Sequence, residues 1–247
     1  MNSIQTAHTS RIQKGNSTFP PKPFCHPQKF KNATRLQNSF TAATERKALL
    51  WLAQRMPASI NSDHLTLLGF AAMFLAGCSY VLARWTAWGL LLATLCLVLN
   101  WFGDSLDGTL ARVRNRQRPR YGFYVDHMID SFGALFLMGG LAASGYIDWR
   151  IAMGLLVAFL LLSIESYLAS YTLGIFRLSF AKFGPTEIRI LLAIANTVLF
   201  FVPAARIPGW SHRLLDMGGV IAIVAMTAMA IFAALTHTLS LYRQETL

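Results

Sequence analysis

The chain has 247 residues, of which 54% are hydrophobic and only 13% are charged, and its mean hydropathy is +0.44. A soluble domain usually carries about twice that charge fraction, so the composition excludes an ordinary water-soluble protein. The formal net charge is +11. Because the sequence also has long apolar segments, we expect its basic residues to lie near a membrane surface, and we expect no nucleic-acid partner.

The first 44 residues contain no Asp or Glu and are rich in Ser, Thr, Asn, Pro and Lys. Such a segment cannot bury enough apolar surface to fold, so we expect residues 1–44 to form a disordered basic tail and residues 45–247 to form a membrane domain. The tail lacks the apolar run of a secretory signal. A basic, acid-free N-terminus is also typical of organellar transit peptides, so an organellar membrane is an alternative location.

The segment that follows the tail, TERKALLWLAQRMPASI, has the pattern of an amphipathic helix. Leu49, Leu50, Leu52 and Met56 share roughly one helical face, and basic residues flank that face. This arrangement is typical of a helix lying in the membrane interface. We therefore expect an interfacial helix before the first transmembrane span.

Six apolar segments follow, each close to the roughly 20 residues that a helix needs to cross a bilayer. We predict transmembrane helices at about 64–83, 85–106, 121–146, 149–176, 185–202 and 214–241. The expected fold class is therefore all-α, a polytopic integral membrane protein with six transmembrane helices preceded by an interfacial amphipathic helix.

Lysine and arginine are distributed unevenly between the two ends of these predicted spans. With the N-terminus in the cytoplasm, 18 of the 22 basic residues lie on the cytoplasmic side and four lie on the other side. Short loops rich in basic residues stay in the cytoplasm. We therefore expect both termini in the cytoplasm and a bacterial inner (cell) membrane as the location.

Four aspartates interrupt the apolar sequence where the second predicted span ends and the third begins. Asp104 and Asp107 are three residues apart, and Asp126 and Asp130 are four apart, so each pair lies on one helical stripe. Two adjacent antiparallel helices can bring all four carboxylates together. Each carboxylate costs about 2.5–3.5 kcal/mol at the bilayer centre on insertion scales. Snorkelling at helix ends would explain one or two of them, but not four in register.

Clustered carboxylates repel one another unless cations neutralise them. An all-oxygen ligand set favours a hard cation, Mg²⁺ or Mn²⁺. Four carboxylates exceed what one Mg²⁺ usually takes from a protein, so the pattern indicates two ions and a phosphate-bearing substrate. His127 is expected to turn away from this stripe.

Residues with small side chains lie beside the carboxylates, namely Gly108, Ala111 and Gly122. They leave room for a bulky group to reach the metals, or they serve close helix packing of the small-xxx-small kind. Arg112 follows at once and could pair with a phosphate or with an aspartate. These four residues are the candidate cofactor-binding positions.

The stretch DSLDGTLAR…GFYVDHMID resembles the signature of the CDP-alcohol phosphotransferases (CDP-alcohol phosphatidyltransferases), Asp-x2-Asp-Gly-x2-Ala-Arg-x8-Gly-x3-Asp-x3-Asp. All eight defining residues are present. One departure is that nine residues, numbers 113–121, separate Arg112 from Gly122 where the family pattern usually has eight. The six-span layout with an interfacial helix first is also similar to the family.

The resemblance implies a reaction in phospholipid biosynthesis. Such enzymes transfer a substituted phosphoryl group, here most simply phosphatidyl, from a CDP-linked lipid or alcohol donor to an alcohol acceptor and release CMP. Two divalent ions bridge the carboxylates and the donor pyrophosphate. The family is also typically homodimeric.

The resemblance also implies roles for individual residues. Asp104, Asp107 and Asp126 would be metal ligands, and Asp130 would be both a ligand of the second ion and the catalytic general base. The small residues of the motif would admit the cytidine, and the arginine of the motif would steady the donor.

The acceptor side of the reaction is less defined by the sequence. Arg177, Lys182 and Arg189 could hold an anionic substrate group, or they could be ordinary basic residues of a cytoplasmic loop. The GIFRLSF…TEI pattern resembles the choline/ethanolamine phosphotransferase branch, in which the acceptor is diacylglycerol, and this aminoalcohol transfer is the alternative function. Further candidate acceptor contacts are Glu165, Tyr167 and Glu187.

A cation transporter is the alternative from a different functional class. Its permeation site would distribute acidic residues over several depths and over internal repeats. Here four aspartates cluster on one side, and no second half of the sequence repeats the motif.

Overall fold

The computed structural model describes residues 34–36, 42–177, 185–202 and 214–245. The helices of this part are α1 (Ala42–Arg55), α2 (Ser62–Ala83), α3 (Trp88–Val113), α4 (Pro119–Ser144), α5 (Trp149–Thr172), α6 (Pro185–Phe201) and α7 (Leu214–Gln244). Two three-residue strands, β1 (Thr34–Leu36) and β2 (Ile175–Arg177), pair in parallel. The predicted disordered tail, residues 1–44, lies almost entirely outside the described residues.

Four of these helices are long and apolar enough to cross a membrane, namely α2, α3, α5 and α7. The helices at the third and fifth predicted spans are not among these four: α4 carries Asp126 and Asp130, and α6 has 17 residues. The structure thus confirms a helical fold with four helices that could cross a membrane, while the count of six spans stays a prediction. Helix α3 also continues to Val113, beyond the predicted end of the second span, so Asp107 lies within a helix.

A helix, α1, forms where the interfacial helix was predicted; of the predicted apolar face, Leu49, Leu52 and Met56 pack inward and Leu50 does not, while the interfacial location stays a prediction. Leu49 and Ala53 are buried, together with leucines of α2 and α3, whereas Leu50 is 39% exposed and Trp51 is 54% exposed. The sequence pattern placed Leu49 and Leu50 on one face. The difference arises because packing against α3, and not the bilayer alone, decides which side of α1 turns inward.

Helix α2 packs closely against both α3 and α4 at pairs of glycines. A Cβ atom added at Gly103 would overlap the α2 backbone at Gly69, and one added at Gly140 would overlap the backbone of Gly77. Missing side chains at such contacts let helix backbones approach closely. This packing places α3 and α4, which carry the four aspartates, against a common neighbour.

A polar network crosses the apolar core of the bundle. The Tyr80 hydroxyl donates a hydrogen bond to Asn196 Oδ1 over 3.0 Å, and Asn196 Nδ2 donates to Thr94 Oγ1 over 3.1 Å. Tyr80 and Asn196 are 0% exposed. Because the three residues belong to α2, α6 and α3, the network fixes the relative positions of these helices.

Candidate active site

The four motif aspartates line one small open cavity. Helices α2, α3 and α4 form its walls, and α6 adds one side chain. The remaining lining residues are Thr66, Gly69, Phe70, Met73, Asn100, Ile129, Gly133 and Arg189. The structure therefore brings the four predicted residues to one place, while their assignment as metal ligands and base stays a prediction.

The Asp107 carboxylate is held from two directions. Thr66 Oγ1 on α2 donates to Asp107 Oδ2 over 2.5 Å, and the backbone N–H of Gly108 donates to Oδ1. Ser62, one turn before Thr66, donates its hydroxyl to the main-chain carbonyl oxygen of Asp107 over 2.8 Å. The start of α2 therefore fixes both the backbone and the carboxylate of this residue.

The Asp104 carboxylate forms an ion pair with Arg189. Arg189 Nη2 lies 2.7 Å from Asp104 Oδ2, and the two side chains are 16% and 26% exposed. A charge pair that is largely withdrawn from water interacts more strongly than one on the surface. Of the three basic residues considered for an anionic substrate group, the structure brings Arg189 into the cavity. Lys182 lies outside the described residues, and the backbone of Arg177 lies in β2.

The cavity offers oxygen ligands to a divalent metal ion, but these ligands are not gathered around one point. Among the described residues, no three His, Cys, Asp or Glu side chains come close enough to hold one ion together. Asp104 instead contacts Arg189, and Asp107 contacts Thr66. The donor chemistry nevertheless fits a hard cation, because four carboxylates surround the cavity and its described lining contains neither His nor Cys.

The small residues of the motif leave open space instead of serving helix packing. Nothing in the described part of the chain lies within 4 Å of a Cβ atom built on Gly122, and for Gly108 the only such neighbour is Arg112 Nη1, at 3.7 Å. Within the described chain, therefore, neither glycine packs against another helix. Arg112 is exposed and donates to Thr109 Oγ1 over 2.9 Å. Ala111 is partly exposed, so this end of α3 is accessible.

The nine residues between Arg112 and Gly122 include the turn that joins α3 to α4. Arg114, directly after α3, donates to the main-chain oxygens of Met56, Pro57 and Ile60 in the connection between α1 and α2. Asn115 has a φ of 52°, a left-handed conformation that Asn tolerates better than most residues. The two pairs of motif aspartates lie on helices α3 and α4, on either side of this turn.

His127 is not part of the described cavity lining, but its ring does not turn fully away from the aspartates, because its Nδ1 lies 3.7 Å from Asp126 Oδ2. Its Nδ1 lies 2.6 Å from the main-chain oxygen of Phe123, and its ring stacks on the Phe123 ring with centroids 4.1 Å apart. Tyr167 of α5, a candidate acceptor contact, packs edge-on against the same imidazole at 4.4 Å. These rings join α4 to α5 beside the cavity.

Two further acidic candidates are also outside the cavity lining. Glu165, for which the sequence shows no partner, forms a contact of 2.5 Å between its Oε1 and His237 Nδ1 of α7. Glu187 is buried in the first turn of α6. No local sequence pattern predicts that α5 and α7 pair in this way. The one available signal is that His237, like Glu165, is a polar residue inside an apolar segment and therefore needs a partner.

Comparison with known proteins identifies the family. The CDP-alcohol phosphatidyltransferase profile matches residues 60–240, which include every residue that lines the cavity. The chain belongs to this family. Its members generally use divalent metal ions.

A curated relative gives a second, partial comparison. An archaetidylinositol phosphate synthase of Pyrococcus horikoshii is 32% identical over 113 residues. The match covers 46% of this chain and 53% of the relative. The chain therefore aligns with about half the length of this family member.

Proposed function

We propose that this protein transfers a phosphatidyl group from a CDP-linked lipid donor to an alcohol acceptor and releases CMP, as a step of phospholipid biosynthesis. The observation that carries the proposal is the convergence of the four motif aspartates on one cavity in a member of the CDP-alcohol phosphatidyltransferase family. A cation transporter would need a path through the bundle, whereas this cavity lies against one set of helix ends that also carries the basic loop.

The four aspartates are proposed to hold two divalent ions, Mg²⁺ or Mn²⁺. When bound, such ions neutralise the charge that develops on the leaving CMP. The contribution of the chain itself is orientation: Thr66 and the Gly108 amide hold the Asp107 carboxylate. Asp130 takes the proton of the acceptor hydroxyl as its oxygen attacks the donor phosphorus. The bond between that phosphorus and the oxygen of CMP then breaks.

The open end of α3 and the start of α4 are proposed to admit the cytidine part of the donor. Gly108 and Gly122 leave this space free of side chains, and Ala111 adds only a methyl group. Arg112 is exposed beside it and can contact a phosphate of the donor. A larger side chain at Gly122 would occupy the space without disturbing a helix contact.

The acceptor is proposed to carry an anionic group. Arg189 reaches the cavity from α6 and supplies a cation beside the aspartates. The similar protein of Pyrococcus horikoshii is named for a phosphate-bearing product, archaetidylinositol phosphate, and a guanidinium binds phosphate oxygens well. A phosphorylated polyol is therefore the first acceptor to test.

The donor and acceptor are tested with purified protein and labelled substrates. Tritiated CDP-diacylglycerol and CDP-choline are each incubated with Mg²⁺ and a panel of acceptors that includes inositol phosphate, glycerol phosphate and diacylglycerol. The proposal predicts a labelled phospholipid from CDP-diacylglycerol and a phosphorylated alcohol. Product from CDP-choline and diacylglycerol alone would replace phosphatidyl transfer by aminoalcohol transfer.

We also propose that α2 to α7 form six transmembrane spans of one catalytic domain, residues 45–247. This domain would lie in a bacterial inner membrane with both termini in the cytoplasm, and two chains would form a homodimer. The unequal distribution of basic residues supports this orientation. A cysteine at Arg116 should react with an impermeant reagent from the cytoplasmic side, and a cysteine at Arg84 from the opposite side. Labelling of the two positions from the same side would overturn the topology.

A further inference from the structure

Glu45 of the surface helix α1 joins three helices through one oxygen atom. Trp101 Nε1 donates to Glu45 Oε1 over 2.8 Å, Ser105 Oγ donates over 3.3 Å, and Thr186 Oγ1 donates over 3.0 Å. Two of these donors belong to α3 and the third belongs to α6. The other oxygen, Oε2, is buried and has no hydrogen-bond partner among the described residues.

An acidic residue in the first turn of a helix has an ordinary explanation, since it interacts favourably with the helix dipole. That interaction needs no partner outside α1, so it does not account for donors from other helices. Glu45 is partly buried, while its neighbours Arg46 and Lys47 are exposed. The three donors therefore indicate a role in connecting α1, α3 and α6.

The residues of α3 and α6 that bond to Glu45 lie close in sequence to residues of the candidate active site. On α3, Ser105 directly follows Asp104. On α6, Thr186 precedes Arg189 by three residues, so both side chains lie on the same side of that helix. Helices α3 and α6 are thus joined at two neighbouring points, one through Glu45 and one through the ion pair of Asp104 with Arg189.

We propose that Glu45 is a positioning residue for the acceptor side of the reaction. By holding Thr186, it fixes the first turn of α6 and thereby keeps the Arg189 guanidinium in the cavity, where an anionic acceptor group would bind. This inference rests on the proposed function for the identity of the acceptor. The contact that holds α6 is independent of that function.

The decisive variants are Thr186→Val and Thr186→Ser. Valine has nearly the same shape but cannot donate to Glu45, and serine restores the hydroxyl. Both leave the bonds from α3 to Glu45 in place, so α1 stays docked even if Glu45→Ala fails to fold.

With CDP-diacylglycerol as donor and inositol phosphate as acceptor, Thr186→Val should raise the acceptor KM about three- to tenfold, the effect of one net hydrogen bond. The donor KM and kcat should change less than about twofold, and Thr186→Ser should restore the acceptor KM.

A double-mutant comparison tests whether the effect passes through Arg189. If Thr186 acts only by placing that guanidinium, Thr186→Val should add nothing to the acceptor KM of Arg189→Gln, because the positioned group is already gone. Independent, additive effects of the two substitutions would contradict the inference.

Hydrogen exchange gives a readout that needs no substrate. In the full chain, amides of residues 189–191, which bond to carbonyl oxygens of the first turn of α6, should exchange faster in Thr186→Val than in the wild type or in Thr186→Ser, since that turn loses its outside contact. Unchanged exchange in Thr186→Val would overturn the inference. If exchange responds as expected but the wild type releases no CMP with any acceptor, the proposed function fails and the inferred anchoring of α6 stands.

Discussion

Two polar regions of this helix bundle differ in how their side chains find partners. In the Tyr80–Asn196–Thr94 network, hydroxyl and amide groups of three helices bond to one another in a site closed to solvent. In the aspartate cavity, four carboxylates face a shared open space, and Asn100 Oδ1 in the lining has no hydrogen-bond partner among the described residues.

The difference separates two reasons for placing polar groups inside an apolar bundle. A network whose partners all come from the protein stabilises one arrangement of helices. Carboxylates that line an open cavity instead have capacity to bind something else, and intramembrane acidic groups usually mark a functional site. Changes in the first region should therefore reduce stability, and changes in the second should reduce activity.

Removal of divalent metal should have the largest effect. If the cavity carboxylates act through bound ions, EDTA should abolish CMP release, and Mg²⁺ or Mn²⁺ should restore it, whereas Zn²⁺, which prefers nitrogen and sulfur ligands, should restore it poorly. The measurement is CMP release before and after metal is added back. Full activity in metal-free buffer would show that the carboxylates work without ions.

Substitutions of two cavity aspartates should differ from each other. Asp130→Asn keeps the shape but removes the proton acceptor, so turnover should fall at least about 10²-fold, the low end for general base catalysis, with donor binding largely kept. Asp107→Asn should weaken metal and donor binding together. Calorimetric titration of a CDP donor with Mg²⁺ separates these outcomes. Normal turnover of Asp130→Asn would mean that Asp130 is not the base, and equal loss of donor binding in both would make it mainly a ligand.

Loss of the Tyr80 hydroxyl should have a smaller effect, and on stability. Tyr80→Phe leaves Asn196 Oδ1 buried without its donor, which should lower the free energy of unfolding by about 1–3 kcal/mol. The value of kcat should stay within about twofold. Unfolding in mixed micelles measures the stability change, and Tyr242→Phe, which alters a side chain that is 77% exposed, is the matched control. A large loss of kcat with unchanged stability would break the distinction between the two regions.

Replacement of Glu165 should have the smallest effect. Its carboxylate pairs with His237 across α5 and α7 and is outside the cavity lining. Glu165→Gln should therefore lower the free energy of unfolding by roughly 0.5–1.5 kcal/mol and change kcat less than about threefold. A loss of kcat comparable with that of Asp130→Asn would move the general base from Asp130 to Glu165.

The sequence predicted the helices that carry the site. Each of α2 to α7 begins within about three residues of its predicted start, because long apolar runs end at polar or proline-containing connections. The shared cavity of the aspartates also followed from local information. Spacings of three and four residues define a helical stripe, and two consecutive helices joined by a short loop are neighbours.

The long-range contacts around the candidate active site could not be predicted in the same way. Thr66 meets Asp107, Arg189 meets Asp104, and Glu45 meets Thr186 across separations of 41, 85 and 141 residues. Such contacts depend on which faces of distant helices pack together, and apolar periodicity does not determine this in a bundle that is apolar on most sides. The outward position of Leu50 on α1 could not be predicted for the same reason.

The central claim is most directly tested by measuring CMP release from CDP-diacylglycerol by the wild type, Asp107→Asn and Tyr80→Phe under identical conditions, with Mg²⁺ and an acceptor alcohol present. The account predicts acceptor-dependent release by the wild type, nearly the same kcat for folded Tyr80→Phe, and release by Asp107→Asn at least about 10²-fold slower. Release by Asp107→Asn at the wild-type rate would contradict the assignment of the aspartate cavity as the active site.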